Sequence, residues 1–361
     1  MSKPSYNTLF FLPDISGFTQ FVKNTEVTHA KHIISELLQI LIDENGNTFE
    51  LAEIEGDALF FYQRGNLPSP EEVLELAKRM FLQFHHHLKL YEQRRMCQCG
   101  ACSTAHNLTL KFVIHGGDAE MIELLGKSKP FGPQVVVAHR LLKNAIPDHE
   151  YVLITEGLGV KHLPEWFDEV EMCEEVEEIG EVRYCYSSLT ELKANVPDLP
   201  EIPPYPKAEK PLVIEGELDT PLEDAYELIS NFDFRDLWNT KVDRLDYQKD
   251  KVNRIGESHM CVIDGRNINF ETVTNDFGKD SLVYGERTKD LPILDEVTNY
   301  FILKKKDDAT TSVRIEAHMK PKKFFGFILT PLARRLFKGS LNDSLNMIAK
   351  AIVKRRLRTA S

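Results

Sequence analysis

Residues 9–19, Leu-Phe-Phe-Leu-Pro-Asp-Ile-Ser-Gly-Phe-Thr, determine how the first half of the chain folds. The apolar run at 9–13 predicts a buried strand that ends at Asp14. The segment 18–43 carries its apolar residues at helical spacing and predicts a long amphipathic helix. A strand followed directly by a helix is therefore the first unit of the fold.

Weaker patterns extend this unit along the chain. Two short strands flank the turn dipeptide Gly56-Asp57, and a helix, a strand and a third helix that begins at Pro133 follow. Residues 121–125 are expected to pair back across the preceding strand. The order βαββαβ is a ferredoxin-like plan, so we predict an α+β fold. After the first helix, these elements cover residues 49–54, 58–62, 69–95, 108–115 and 132–144.

Two aspartates are predicted to meet at one end of this sheet. In the ferredoxin-like plan the third strand lies between the first and the second, which places Asp14 next to Asp57. Paired carboxylates are oxygen ligands of the kind that hold Mg²⁺ or Mn²⁺. Gly17, Phe18 and Thr19 start the adjacent helix, whose free backbone N–H groups attract an anion. The sequence thus predicts neighbouring metal and phosphate subsites.

The same residues resemble a known enzyme family. Residues 13–19 resemble the metal-binding motif of class III nucleotide cyclases, and residues 53–57, Glu-Ile-Glu-Gly-Asp, resemble their second metal motif. Residues 114–117 and 132–140 resemble the later turn and helix of these enzymes. The likeness spans residues 7–190. It implies the cyclase fold, a purine nucleotide as ligand, and head-to-tail homodimers with sites at the interface.

The resemblance also implies roles for individual residues. Asp14 and Asp57 match the two metal ligands, and Arg140 matches the arginine that stabilises the transition state. Glu53 stands where guanylyl cyclases carry a glutamate that recognises the purine, and Lys129 stands at the position of its partner.

Three departures from the family pattern leave the activity open. The family's later phosphate-binding lysine has no convincing match near residues 178–184. Val136 replaces a ribose-binding asparagine four residues before Arg140, and Lys129 replaces an aspartate or cysteine. Loss of one preorganised contact costs ~10²-fold or more in rate. Either the domain is a degenerate module that binds nucleotide and metal or dimerises, or it is an active cyclase. The active form would convert ATP or GTP into a cyclic nucleotide and pyrophosphate.

A cysteine loop precedes the strand at 108–115. Cys97, Cys99 and Cys102 lie close together in sequence, and such thiols in a reducing compartment favour Zn²⁺. Cyclases in general lack this insertion. The fourth ligand is left open between His106, one of the histidines at 85–87, Cys173 and Cys185.

Prolines mark a boundary between two domains. Six of the 18 prolines fall in the segment 193–211. Each one lacks a backbone donor and disfavours helix in the residue before it, so the segment is predicted to be an extended linker. We therefore predict a nucleotide cyclase-like domain at 1–192, a proline-rich linker at 193–211 and a second domain at 212–361.

The second domain is predicted to contain one strand, short helices, six further strands and a final helix at 323–356 that Pro331 kinks or interrupts. With residues 234–238, Phe-Arg-Asp-Leu-Trp, this order resembles START-like (SRPBCC), helix-grip domains. The resemblance implies a cavity for a hydrophobic small molecule or lipid. A lipid-transfer or polyketide cyclase-type enzyme is a further alternative. Seven side chains are candidates to line the cavity: Trp238, Met260, Phe270, Tyr284, Phe301, Phe327 and Met347.

Composition limits the class of protein further. The formal net charge of −12 argues against nucleic acid as a partner. No secretory signal and no apolar stretch of bilayer length are visible, so a cytoplasmic location is expected. The basic last helix is either a solvated face or a peripheral contact with an anionic membrane. The pairing of the two domains resembles uncharacterised bacterial proteins and suggests a signalling or sensor protein.

Overall fold

The structure is a computed structural model that describes residues 6–23, 25, 27–124, 126–160, 162–176, 179–202, 208, 210–249, 251–275, 277–278, 280–292, 294–322 and 326–359. The chain divides into two compact units. One consists of Met1–Glu92 and Gly100–Leu199, and the other of Gln93–Cys99 and Pro200–Ser361. Residues 203–207 and 209 of the predicted linker lie outside the described residues.

The first unit combines strands and helices in the order that the sequence predicts. Its strands are β1 (Thr8–Ser16), β2 (Glu50–Glu55), β3 (Ala58–Arg64), β4 (Thr109–Gly117), β5 (Glu120–Leu124), β6 (Lys127–Phe131), β7 (Tyr151–Thr155), β8 (Val170–Val176) and β9 (Gly180–Ser188). Its α-helices are α1 (Phe18–Lys23), α2 (Val27–Asn45), α3 (Pro70–Gln93), α4 (Gly100–Thr104) and α5 (Pro133–Arg140). Short 3₁₀ turns lie at Ala105–Asn107, Leu141–Lys143, Glu156–Leu158 and Thr190–Asn195.

Seven of these strands form one sheet in the order β2-β3-β1-β4-β7-β9-β8. β3 lies between β1 and β2 and is antiparallel to both, as predicted. β1 is a central strand, and its residues from Thr8 to Pro13 are all buried. This burial explains why its sequence is a continuous apolar run rather than an alternating one.

Two segments of the first unit differ from the prediction. The helix expected at 18–43 is divided into α1 and α2, and the Thr25 hydroxyl donates to the Phe21 carbonyl (2.7 Å) after the end of α1. β5 pairs with β6 in a separate two-stranded ribbon, not with β4. β4 has no edge left for β5, because β1 and β7 already pair with it on its two sides.

The second unit is one antiparallel sheet with helices. Its strands are β10 (Leu212–Leu218), β11 (Val242–Asp246), β12 (Ser258–Ile263), β13 (Arg266–Val273), β14 (Ser281–Thr288), β15 (Leu294–Lys305) and β16 (Thr311–Pro321). Its α-helices are α6 (Leu222–Ser230), α7 (Arg235–Trp238) and α8 (Gly326–Thr359), with a 3₁₀ turn at Phe232–Phe234.

The sheet of the second unit has the order β10-β16-β15-β14-β13-β12-β11. The long helix α8 packs against β10 and β16 and against α6 and α7. A Cβ atom at Gly216 of β10 would lie 2.7 Å from the Leu345 side chain of α8, so a larger residue there would displace this side chain. The element order is the one predicted from the sequence, while the relation to START-like domains stays a prediction.

The final helix differs from its prediction. Pro331 was expected to kink or interrupt it, and α8 continues through this residue without interruption. Pro331 is the sixth residue of α8, past the first turn, so its missing N–H leaves one backbone hydrogen bond of the helix unmade. Among the described helices, none is both long and apolar enough to cross a membrane.

Candidate functional site

The sheet of the first unit brings Asp14 and Asp57 to the same place. Asp14 is on β1, opposite Ala58 of β3 and Lys111 of β4. The backbone N–H of Ile15 donates to the carbonyl oxygen of Asp57 at 3.1 Å. Asp57 therefore lies in the turn beside the strand that carries Asp14.

The two carboxylates influence each other. Burial and the negative charge of Asp14 raise the pKa of Asp57 to about 6. Burial also raises the pKa of Asp14, and the nearby Lys111 opposes this rise. A site in which two carboxylates repel each other gains stability from a cation, and oxygen ligands suit Mg²⁺ or Mn²⁺. The donor set therefore fits a divalent cation.

Lys111 is a functional candidate that the sequence reasoning missed. Its Nζ lies 3.2 Å from Oδ2 of Asp14, and it also donates to the carbonyl oxygen of Leu142 at 2.8 Å. Its place opposite Asp14 depends on the register between β1 and β4, which no local motif reveals. The signal that could have found it is a lysine inside an otherwise buried strand.

The predicted phosphate subsite begins directly after β1. Gly17 has φ +87°, a left-handed conformation that favours glycine. Thr19 is exposed and Phe18 is half-buried at the start of α1. The turn thus redirects the chain from the sheet into a helix next to Asp14.

Glu53 and Lys129, the two residues predicted to recognise a purine, are paired with each other. Lys129 Nζ on β6 lies 2.6 Å from Oε2 of Glu53 on β2. The hydrogen bond and the charge of Lys129 hold the pKa of Glu53 below its usual value. The carboxylate of Glu53 and the ammonium group of Lys129 thus form an ion pair within one chain.

Arg140 is the last residue of α5 and is exposed. One residue earlier, His139 Nδ1 lies 3.2 Å from Oε2 of Glu55, which ties α5 to β2. Val136, at the family's asparagine position, is 49% exposed on the same helix. The transition-state role of Arg140 stays a prediction.

The cysteine loop is divided between the two units. In the first unit, Cys102 Sγ lies 3.5 Å from Nδ1 of His29, and in the second, the backbone N–H of Cys99 donates to the Cys97 sulfur at 3.4 Å. Sequence reasoning did not find His29, because it lies 68 residues before Cys97. His106, one of the candidates for the fourth ligand, is exposed on the 3₁₀ turn Ala105–Asn107, and its role as a ligand stays a prediction.

The aromatic residues predicted to line a cavity in the second unit belong mainly to its core. Trp238, Tyr284 and Phe301 are buried, and the rings of Trp238 and Phe301 are 5.8 Å apart in an edge-to-face arrangement. Met260 and Phe270 are half-buried. Met347 of α8 is half-buried against the same core, and the Phe327 side chain lies outside the described residues.

A cavity of about 300 Å³ in the second unit has a different lining. Polar and apolar side chains line this open cavity in similar proportion. Six of the residues that line it are Arg95, Met96, Tyr226, Asn275, Phe277 and Leu282.

The second unit also holds a buried ionic cluster that the sequence did not indicate. The guanidinium of Arg235 is 2% exposed, binds both carboxylate oxygens of Glu286 and donates to the Tyr284 hydroxyl at 2.9 Å. His259 Nε2 lies 3.2 Å from the same carboxylate. Burial alone would raise the pKa of Glu286, but Arg235 and His259 hold it well below the usual value.

Comparisons with known sequences match the middle of the first unit. Residues 34–151 match a family described as a protein of unknown function (DUF2652). The chain is 31% identical over 123 residues to the uncharacterized protein Rv2561/Rv2562 of Mycobacterium tuberculosis. That alignment covers 34% of this chain and 57% of the relative, so it spans little more than half of the relative's length.

The structure neighbours are class III adenylyl and guanylyl cyclase domains that cover about half of the chain. The guanylate cyclase domain of RhGC from Catenaria anguillulae, in complex with GTP, is 14% identical with a TM-score of 0.38, covering 51% of this chain and 96% of that one. The adenylyl cyclase CyaB from P. aeruginosa is 14% identical with a TM-score of 0.36, covering 51% and 93%. A bacterial light-regulated adenylyl cyclase is 18% identical with a TM-score of 0.38, covering 51% of each chain.

Proposed function

We propose that this chain is a signalling or sensor protein. Its first domain is a degenerate cyclase-like module that binds a purine nucleotide with a divalent cation, or that dimerises. Its second domain binds a hydrophobic small molecule. The observation that supports the first part is the neighbouring position of Asp14 and Asp57 at the end of β1.

Binding follows from the charges around Asp14. Asp14 and Asp57 supply oxygen ligands, and the start of α1 supplies backbone N–H groups beside them. A bound Mg²⁺ or Mn²⁺ would neutralise the charge of a triphosphate. The chain's own residues hold and orient the phosphates at this end of the sheet.

We expect loss of turnover because of the side chains at the positions predicted to contact the base and the ribose. Glu53 and Lys129 bind each other at 2.6 Å, so recognition of a purine must first break this ion pair. Val136 offers no hydrogen bond to a ribose. Because catalysis needs contacts that are made in the transition state, these changes are expected to reduce turnover more than binding.

An active cyclase is the alternative that the same aspartates favour. In that case the ribose 3′-hydroxyl attacks the α-phosphorus of ATP or GTP and pyrophosphate leaves. Arg140 would then stabilise the developing charge, and a homodimer would be needed to complete the site.

The proposal for the second domain rests on its cavity and its helix α8. The cavity beside Tyr226 and Leu282 is large enough for a small molecule. A lipid-transfer or polyketide cyclase-type reaction in this domain is a second alternative. On α8, Leu332 and Leu336 are 56% and 64% exposed next to Arg335, which favours peripheral contact with an anionic membrane.

The cysteine loop adds a structural metal to the proposal. Thiolates are soft ligands that select zinc over the hard cations expected at Asp14.

Binding of a small molecule to the second domain is also proposed to change nucleotide binding or dimerisation in the first domain.

One experiment separates binding from turnover. Purified protein is titrated with GTP and with ATP in the presence of Mn²⁺ by calorimetry, and the same samples are assayed for cyclic nucleotide. We expect binding without product, and weaker binding in Asp14→Asn but not in the exposed control Asp43→Asn. Formation of cyclic nucleotide that Asp14→Asn abolishes would establish the active alternative. Absence of binding to either nucleotide would reject both the nucleotide-binding module and the active cyclase, and would leave dimerisation as the role of the first domain.

A further inference from the structure

One face of the sheet in the second unit carries a row of buried polar side chains. Tyr284 and Glu286 on β14 point to this face together, because they are two residues apart on one strand. Tyr284 belongs to the apolar core that also contains Ile348 of α8, so this is the face on which the long helix packs. Polar groups on such a face must find hydrogen-bond partners away from bulk water.

The charged members of this row are paired with each other. Arg235 binds both carboxylate oxygens of Glu286 and donates to the Tyr284 hydroxyl at 2.9 Å. The Tyr284 hydroxyl in turn donates to Oε1 of Glu286 at 2.6 Å. The charges of Arg235 and Glu286 therefore balance within the protein.

His259 on β12 lies beside this pair and has an unsatisfied ring nitrogen. Its side chain is 0% exposed, and its Nε2 lies 3.2 Å from Oε1 of Glu286. Because a carboxylate only accepts hydrogen bonds, Nε2 carries the ring proton and Nδ1 is left as an acceptor. Among the residues that the structure describes, Nδ1 has no hydrogen-bond partner. A buried acceptor of this kind destabilises the fold unless a donor reaches it.

A second unsatisfied acceptor lies on the other side of Glu286. Asn299 on β15 is directly opposite Glu286, so its side chain is on the same face. Its Oδ1 is buried and has no hydrogen-bond partner within the described part of the chain. Asn299 as a whole is only half-buried. A small molecule can therefore approach this part of the face.

Apolar rings lie on both sides of His259. The Phe270 ring, directly opposite on β13, is stacked on the imidazole at 5.6 Å, and the Phe232 ring is 4.3 Å away. Both phenylalanines are half-buried, so part of each ring can contact a ligand. The cavity beside Tyr226 has a different lining, which includes neither His259 nor Asn299.

We infer that this face binds an uncharged, mainly apolar molecule with a hydroxyl group, which donates a hydrogen bond to Nδ1 of His259 or Oδ1 of Asn299. The molecule is uncharged because Arg235 and Glu286 already neutralise each other, and a further buried charge would have no partner. A fully apolar molecule would leave both acceptors unpaired, so the two acceptors select for the hydroxyl group. Such recognition rests on the small-molecule binding proposed above for the second domain.

Two probes of similar size measure this selection. The full chain is titrated with 4-fluorophenol and with 1,4-difluorobenzene, and binding is followed by fluorine NMR. The double variant His259→Phe with Asn299→Leu replaces both acceptors by apolar groups, and Asn267→Leu at an exposed position of β13 is the control. We expect the natural protein and the control to bind 4-fluorophenol at least tenfold more tightly than 1,4-difluorobenzene. The double variant should bind the two probes equally.

Thermal unfolding without a probe separates recognition from a structural role. Replacement of unpaired buried acceptors by apolar groups is neutral or stabilising, so the Tm of the double variant should equal or exceed that of the natural protein. A Tm lowered by several degrees would show that these side chains support the fold, and would overturn the inference.

The titrations also distinguish this inference from the binding on which it rests. A preference for 4-fluorophenol that persists in the double variant would overturn the assignment of His259 and Asn299. Equal affinity of the natural protein for the two probes would overturn recognition of the hydroxyl group and leave binding of apolar molecules intact. Absence of binding for both probes would reject that binding as well.

Discussion

The ammonium group of Lys111 lies 3.2 Å from a carboxylate oxygen of Asp14. The two residues face each other across β4 and β1, and each side chain is only 16% exposed. One of the two candidate metal ligands thus has an internal cation as its neighbour. A divalent cation that binds Asp14 must either share this carboxylate with the ammonium group of Lys111 or displace that ammonium group.

Removal of this internal cation is expected to strengthen metal binding. In Lys111→Met, Asp14 loses its competing partner, so Mn²⁺ measured by electron paramagnetic resonance at pH 7.5 should bind severalfold more tightly. The exposed Lys143→Met keeps the Lys111–Asp14 pair and should bind as the natural protein does. Weaker Mn²⁺ binding in Lys111→Met would mean that Lys111 supports the site rather than competing for it.

The carboxyl group of Asp57 should make the stability of the first domain depend on pH. Its pKa in the folded chain is about 6, above the ordinary value of 3.8, so the folded state binds the proton more tightly than the unfolded state. Stability from this group is therefore present at low pH and is lost as the pH rises from about 4 to about 6. Asp57→Asn removes the dependence and should stabilise the domain at pH 7 by about 1 kcal/mol, after allowance for solvent screening.

Urea unfolding between pH 4.5 and pH 8 measures this difference. The exposed Asp43→Asn serves as the control, and its unfolding should follow the natural protein at every pH. An Asp57→Asn curve parallel to that of the natural protein would show that Asp57 does not titrate in this range.

The ion pair between Glu53 and Lys129 is expected to limit purine binding. Lys129→Ala releases the Glu53 carboxylate, which can then accept hydrogen bonds from guanine, so GTP should bind severalfold more tightly while ATP does not. The exposed Lys127→Ala on the same strand is the matched control. Equal gains for GTP and ATP would indicate a general charge effect and contradict guanine recognition by Glu53.

Much of the first domain could be predicted from local patterns. The run at 9–13, the turn at Gly56-Asp57 and the ferredoxin-like order together gave the position of β3 between β1 and β2, and this order was correct. Hydrophobic periodicity indicates which residues are buried. The order of the strands could be predicted because few topologies are compatible with the βαββαβ order of elements.

Contacts that depend on register or on distant segments could not be predicted. Lys111 meets Asp14 because of the pairing of β1 with β4, and His29 meets Cys102 because α4 packs against α2. In the second unit, Arg235 and Glu286 are 51 residues apart in sequence. Nothing near either residue shows that its charge will be buried and paired.

The buried pair of Arg235 and Glu286 is expected to be essential for the stability of the second domain. Glu286→Gln leaves a guanidinium group that is 2% exposed without its counter-charge. Such a loss typically costs about 3–5 kcal/mol, because the remaining charge stays desolvated. Urea unfolding of the second domain, followed through Trp238 fluorescence, measures the effect; Trp166 is replaced by Phe in every sample so that the signal is specific.

Glu215→Gln provides the matched control for this prediction. Glu215 pairs with Arg314 at 2.8 Å, but both side chains are largely in solvent, so its loss should cost no more than about 1 kcal/mol. Replacement of both buried partners, in Arg235→Met with Glu286→Leu, removes the unpaired charge and should recover most of the stability lost in Glu286→Gln. If the double variant is instead as unstable as Glu286→Gln, the cost comes from lost packing against Tyr284 and Trp238 and not from the uncompensated charge.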